Sequence, residues 1–350
     1  SAASDVYKRQ RFDLVQFFIL PVRVVALLLR QCCSIAAGLL RRSKVGSAGM
    51  FFQHLMNGLT LGGIYALIAL GYTMVYGILK FINFAHGDIL MVGAYIGLFV
   101  FDLLRGSSPL GPWWIAAFFI AMLVSMICCA FLGMLIERVA YKPLRKGSRL
   151  APLLSAIGVS FILSNGAAWL FGTHSRKLEY PFDNSPISIG SVVITPHQIM
   201  VLVVAVVMMV LLKLFVGKSK MGKAMRATSL DGETAKLMGI NSDMIISLTF
   251  GIGSALAACG GMLIALDYKV YATMGTMIGL KAFVAAVVGG IGNITGAMLG
   301  GFLLGLLETF GVAVFGIPQG FKDTIAFAVL IIILLVKPEG LLGKVEKEKV

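Results

Sequence analysis

The chain has 350 residues, of which 58% are hydrophobic and only 13% charged, with a mean hydropathy of +0.92 and a formal net charge of +14. A soluble globular domain is about half apolar and about a quarter charged, so this composition excludes one. The apolar runs are continuous rather than alternating, which excludes a transmembrane barrel and leaves an all-α, polytopic helical membrane protein.

In chain order, residues 1–49 stand apart. "SAASDVYKRQ" opens without methionine, and the apolar stretch after it is broken by Arg23 and Arg30 before the basic group Arg41, Arg42 and Lys44. The segment reads as non-native upstream translation or a disordered extension, with Met50 as the expected start of the protein proper. The alternative is a cationic amphipathic anchor lying on the membrane surface.

A bilayer core of about 30 Å takes roughly twenty apolar residues per helix. From Met50 the expected spans are 54–78, 85–104, 113–136, 150–171, 197–217, 243–266, 281–296, 297–316 and 321–337. The run 281–296 contains "VVGGIGNITG" and is short and glycine-rich, so it is expected to be a broken or re-entrant helix, and the count is eight or nine. Of the five cysteines, Cys128, Cys129 and Cys259 lie in apolar runs, and none of the five has metal-ligand spacing, so no metal site is expected.

Lysine and arginine in short loops set the orientation. They gather in "ERVAYKPLRKGSR" (137–149), in 218–242 and in the tail "KPEGLLGKVEKEKV", whereas 172–196 and 102–112 are nearly balanced. The basic segments are assigned to the cytoplasm, which places Met50 outside and the C-terminus inside. The outer segment "HSRKLEYPFDNSPISIGSVVITP" alternates proline with β-branched residues and is expected to form a short hairpin at the membrane surface.

The cytoplasmic stretch 221–244, "MGKAMRATSLDGETAKLMGINSDM", is longer and more charged than a connector requires. Its middle predicts a short helix with Asp231 as N-cap, Glu233 in the first turn and Gly239 as C-cap. Ala235, Leu237 and Met238 would leave it a compact apolar surface. Glu233, Ala235 and Gly239 form a Glu-x-Ala-x-x-x-Gly pattern that resembles the coupling motif of ABC importer permeases, in which such a helix docks on an ATPase subunit. The expected coupling residues are Arg226, Asp231, Glu233, Ala235, Leu237 and Gly239.

Four further stretches extend the resemblance: "NGLTLGGIYALIALGYTMVYGILKFINFAHGDILMVGAYIG" (57–97), "ERVAYKPLR" (137–145), "SAIGVSFILSNGAAWLFG" (155–172) and "GLKAFVAAVVGGIGNITGAMLGGFLLGLLE" (279–308). From about Met50 to the C-terminus the chain resembles the LivH family, permeases of branched-chain amino acid ABC importers, and 50–350 is read as one such permease domain. The resemblance implies a bacterial inner-membrane location. It also implies a LivM-like second permease, two cytoplasmic ATPase subunits that use ATP, and an extracytoplasmic solute-binding protein. Branched-chain amino acids are its suggested cargo; urea or amide importers have similar permeases and are the runner-up. No cofactor is expected on this chain and no nucleic acid partner; membrane lipid surrounds it.

The polar positions left within the apolar runs are the candidates for a path or gate. Asn83, His86 and Asp88 in "NFAHGD" lie at the inner boundary, either capping the second span or shaping an inner gate. Gly289, Gly290 and Gly292 either serve dense packing, as the Gly-xxx-Gly pairs after them do, or break a helix that exposes Asn293 to the path. Glu308 is the acid deepest in an apolar run and has no basic residue beside it in sequence. It is read as hydrogen-bonded across a helix interface or, less readily, as a proton relay. No nucleophile turn, metal pair or phosphate loop is present in the sequence, so the chain is read as a transport subunit without its own ATPase site. An ion-coupled secondary transporter is the rival, and it would want paired intramembrane carboxylates.

Overall fold

In hydrocarbon an unpaired backbone N–H or C=O is costly, and a helix satisfies both within one segment, so each long apolar run becomes a helix. The computed structural model describes residues 46–105, 113–145, 150–178, 187–189, 192–315 and 318–343. The expectation for 1–49 thus falls almost wholly outside the described residues. Among the described residues, eight helices are long and apolar enough to cross a membrane.

The helices run α1 Gly46–Leu79, α2 His86–Arg105, α3 Trp114–Ile136, α4 Leu150–Phe171 and α5 Pro196–Lys218, then the short α6 Lys220–Leu230 and α7 Gly232–Leu237. They continue as α8 Ser242–Asp267, α9 Met274–Gly289, α10 Ile294–Phe315 and α11 Lys322–Val336. α3 is prolonged by a wide turn over Glu137–Tyr141 and a tight one over Lys142–Leu144. Between α4 and α5 the expected hairpin is present: β1 Ile187–Ile189 pairs antiparallel with β2 Val192–Ile194, Ile187 opposite Ile194.

α1 and α8 form the buried centre, and α4 and α11 are the most exposed helices. The most extensive helix contact is that of α1 with α10. A Cβ added at Gly301 would stand 2.4 Å from the Ala66 Cα, and one at Gly305 2.4 Å from the Gly62 Cα. The Gly-xxx-Gly spacing on α10 is therefore a packing device, letting two backbones meet where lipid offers no hydrophobic drive for association.

The break expected within 281–296 is present, and the bounds of the helices on either side of it shift. α9 begins at Met274 and ends at Gly289, and α10 begins at Ile294 rather than 297. Gly290 (φ 105°) and Gly292 (φ 92°) take left-handed backbone that disfavours a Cβ, so the glycine run is the break between two helices and not the body of one. At about 1.5 Å per residue the 16 residues of α9 rise about 24 Å, short of a full core.

The contacts sort the chain into two ends. At one, the Tyr141 hydroxyl donates to Asn83 Oδ1 (2.7 Å), and a cleft is lined by Gly77, Val216, Arg226 and Gly292. There, too, Leu341 N and Leu342 N donate to the Val288 and Gly289 carbonyls (2.9 and 3.0 Å). At the other, Gln53 accepts from Val193 N (2.8 Å), Gln198 bonds Asn57 (3.0 Å), and Arg176 pairs with Val270 as a β-bridge. The described parts of all three basic segments thus share one end.

Candidate functional site

The charged loop folds as two short helices, each bonded to the span beside it. Ser219 ends α5 and turns the chain, its hydroxyl accepting the Gly222 N–H at 2.9 Å. A Cβ at Gly222 would lie 2.2 Å from the Val216 carbonyl oxygen, so glycine is what lets α6 fold back this tightly. Arg226 donates to the Val216 carbonyl and, at 3.3 Å, to that of Gly217, placing a cation at the negative end of α5. Its side chain is thus spent inside the chain, holding α6 against α5.

Asp231 caps α7 as expected. It accepts from Glu233 N (2.9 Å) and Thr234 N (3.2 Å), and the Thr234 hydroxyl donates to its other oxygen. The bonds from Thr234 and then Glu233 hold its carboxyl below the usual 3.8. Gly239, at φ 82°, reverses the chain, and Ser242 Oγ donates to the Gly232 carbonyl at 3.0 Å, fastening α7 to the start of α8. Ala235 is buried, while Glu233 pairs on the surface with Lys236 at 2.9 Å, raising the Lys236 ammonium pKa. Leu230, Leu237 and Met238 project uncovered, 89%, 87% and 79% exposed. Leu230 was not singled out from sequence, because it belongs to the preceding helix and its exposure shows only in the folded chain.

The stretches that looked most distinctive in sequence meet at the same end. Asn83 Oδ1 caps the chain before α2, accepting from Ala85 N (3.1 Å) and from the Tyr141 hydroxyl. Asp88, buried in the first turn of α2 where the helix dipole favours an acid, accepts from Ser160 of α4. Its Oδ1 is buried without a hydrogen bond among the described residues. His86 is buried edge-on to the Tyr72 ring, 4.5 Å between centroids. Beside them Glu137 is fully buried and bonded to Arg145 and Ser247, while Lys142 reaches Asp243 at 2.9 Å. Glu137 and Tyr141 were missed as individual residues. One turn apart, Glu137 reaches Ser247 of α8 and Tyr141 reaches Asn83 in the loop before α2, which local sequence does not show.

Gly289, Gly290 and Gly292 form the break before α10, and the C-terminal segment covers it: a Cβ at Gly290 would lie 2.5 Å from Gly343 N. Asn293 is engaged rather than open. Its Oδ1 accepts from Thr295 N (3.1 Å) and Gly296 N (3.4 Å), and its amide donates to the Leu342 carbonyl at 2.8 Å.

Glu308 lies near the opposite end and is fully buried. It is hydrogen-bonded across helices as expected, by Tyr65 of α1 at 3.1 Å. The sequence suggested no basic partner, and here the structure differs: Lys281 of α9 stands 3.3 Å away and Lys322 of α11 3.6 Å. Lys281 also meets Asp323 at 2.5 Å. These partners come from other helices, so their spacing along the chain carries no signal. Beside the cluster a cavity of about 580 Å³ is lined by Asn57, Gln198, Asp267, Glu308, Thr309 and Lys322.

With this geometry the chain can be set against known proteins. The family described as the branched-chain amino acid transport system permease component matches residues 54–334. The high-affinity branched-chain amino acid transport system permease protein BraD of Pseudomonas aeruginosa is 47% identical over 309 residues, covering 86% of this chain and 98% of that protein. The corresponding LivH of Escherichia coli K12 is 44% identical over 307 residues, with the same coverage of each. A probable LivH of Methanocaldococcus jannaschii is 27% identical over 292 residues, covering 80% of this chain and 89% of that protein. No solved structure matches.

Proposed function

This chain belongs to the family of branched-chain amino acid transport permeases, and we propose on that premise that it is one permease subunit of an ATP-driven importer in a bacterial inner membrane. Its cargo is branched-chain or other small amino acids. A second, LivM-like permease completes the path, two cytoplasmic ATPase subunits supply the energy, and a solute-binding protein outside delivers the substrate.

The observation that carries this reading is the uncovered apolar tip of Leu230, Leu237 and Met238 on a braced projection. The tip lies with the basic segments at the end assigned to the cytoplasm, where positive loops remain. Large apolar side chains left this exposed on one short stretch of chain are the kind that a partner covers. Because Gly222 and Arg226 lock α6 to α5, and Ser242 fastens α7 to α8, a push on the tip moves two spans at once. α8 is among the most buried helices, so that motion reaches the centre of the bundle. Asn83, His86 and Asp88 stand at the inner ends of α1 and α2 as the inner gate, and Gly289, Gly290, Gly292 and Asn293 as the pivot between α9 and α10. α3, α4, α5 and α11 present their exposed apolar side chains to lipid.

The test is a cysteine at Leu237 in membranes that hold the companion subunits. A crosslink to the ATPase that changes with ATP is expected, together with loss of coupled uptake in Glu233→Lys despite normal insertion. Absence of any crosslink from Leu230, Leu237 or Met238, with the ATPase present and folded, would return the loop to a plain connector.

A further inference from the structure

We infer that the cavity beside Glu308 is an entry subsite for a zwitterionic aliphatic amino acid, which rests on the permease reading above and locates where this chain first holds its cargo. Its volume of about 580 Å³ lies within the roughly 300–1,000 Å³ of small-ligand pockets. It opens at the hairpin end of the bundle, opposite the basic segments, and so on the outer face. The charges on and behind its wall are of both signs. Asp267 and Glu308 line it with Lys322, while Lys281 backs Glu308. A site for a simple cation or anion would show one sign; adjacent opposite charges match a molecule that carries both.

Two groups on the wall are left with capacity. Asp267 pairs with His197 and leaves 21% of its side chain open, whereas Glu308 is fully buried with both of its oxygens 3.3 Å from Lys281. Lys322 Nζ reaches Glu308 only at 3.6 Å, beyond a good hydrogen bond. The open part of the Asp267 carboxylate is the acceptor that a ligand ammonium meets. The ligand carboxylate then takes Lys322. Leu61, Ile64, Val312 and Ala313 supply the apolar part of the wall, which suits an aliphatic side chain and no further charge. Gln198 and Asn57, bonded to each other at 3.0 Å, close the side next to the hairpin.

The experiment places a cysteine at Thr309, whose hydroxyl donates to the Gly305 carbonyl of its own helix. Ala313→Cys serves if that variant does not assemble. The complete transporter, in spheroplasts freed of binding protein, is treated with a membrane-impermeant methanethiosulfonate. Labelling from outside is expected, slowed several-fold by millimolar leucine. Isocaproate and isopentylamine, each with one charge only, should not slow it, and Lys322→Gln should abolish protection while leaving labelling intact. Leucine uptake that requires this chain, measured with binding protein restored, checks the permease reading separately. Labelling without protection, or no labelling, alongside intact uptake overturns the subsite alone. Equal protection by leucinamide or urea overturns the zwitterion and favours an amide ligand. Leucine uptake that does not need the chain overturns the reading and the subsite together.

Discussion

Removing Lys281 or Glu308 singly should destabilise the bundle more than half as much as removing both, and a double-mutant cycle measures the difference. Glu308 is fully buried and the Lys281 side chain is 10% exposed, with the charges 3.3 Å apart. At an effective dielectric of about 20 the attraction at that distance is about 5 kcal/mol before desolvation is subtracted. Breaking a buried pair by deleting one partner costs about 3–5 kcal/mol where the survivor is left alone. Neither survivor is alone here. Lys281 keeps Asp323, and Glu308 keeps Tyr65 and Lys322. Each single change, Lys281→Met or Glu308→Gln, is therefore expected to cost about 2–3 kcal/mol, and the double variant about 3. That leaves a coupling energy of about 1–3 kcal/mol, the range of contacting charged groups. Reversible unfolding in mixed micelles, followed by helical circular dichroism, gives all four corners of the cycle. Additivity within about 0.5 kcal/mol would mean the two charges do not interact in the folded chain and would refute the network.

Gly301→Val sets a side chain against the Ala66 backbone, 2.4 Å from its Cα even at Cβ, and should cost at least about 1–3 kcal/mol in the same assay. Gly166→Ala on α4 meets nothing within 4 Å and should be neutral or stabilising, so an equal loss in both would sink the packing argument. Tyr141→Phe removes the hydroxyl that reaches Asn83 and is expected to cost about 1 kcal/mol; no change would show that bond to be idle. The Asp231 cap has a depressed carboxyl pKa, so its contribution is full above the usual 3.8 and is lost as pH falls through the lower folded value. Amide protection at Glu233 and Thr234 should therefore be flat from about pH 5 to 8, fall below about pH 4, and be absent at every pH in Asp231→Ala.

Much of this protein could be read from local features. Composition and uninterrupted apolar runs determined the helical membrane class, because hydrocarbon leaves a backbone few other solutions. The cap at Asp231 and the reversal at Gly239 were legible because both depend on neighbours within a few residues. The hairpin at Ile187–Ile194 followed from the same kind of local signal. The glycine break was legible too, but the bounds around it were not: α9 begins at Met274 rather than 281 and stops at Gly289, where the left-handed backbone at Gly290 and Gly292 takes over.

What tertiary structure alone decided is which distant groups meet. Tyr141 finds Asn83, Ser160 finds Asp88, and Glu308 receives Tyr65, Lys281 and Lys322 from three other helices. Helix periodicity states which face a residue occupies, but not which helix comes to rest against it. That choice is made by close approaches such as Gly301 on Ala66 and Gly305 on Gly62, and it turns an acid with no basic neighbour in sequence into the centre of a charge cluster.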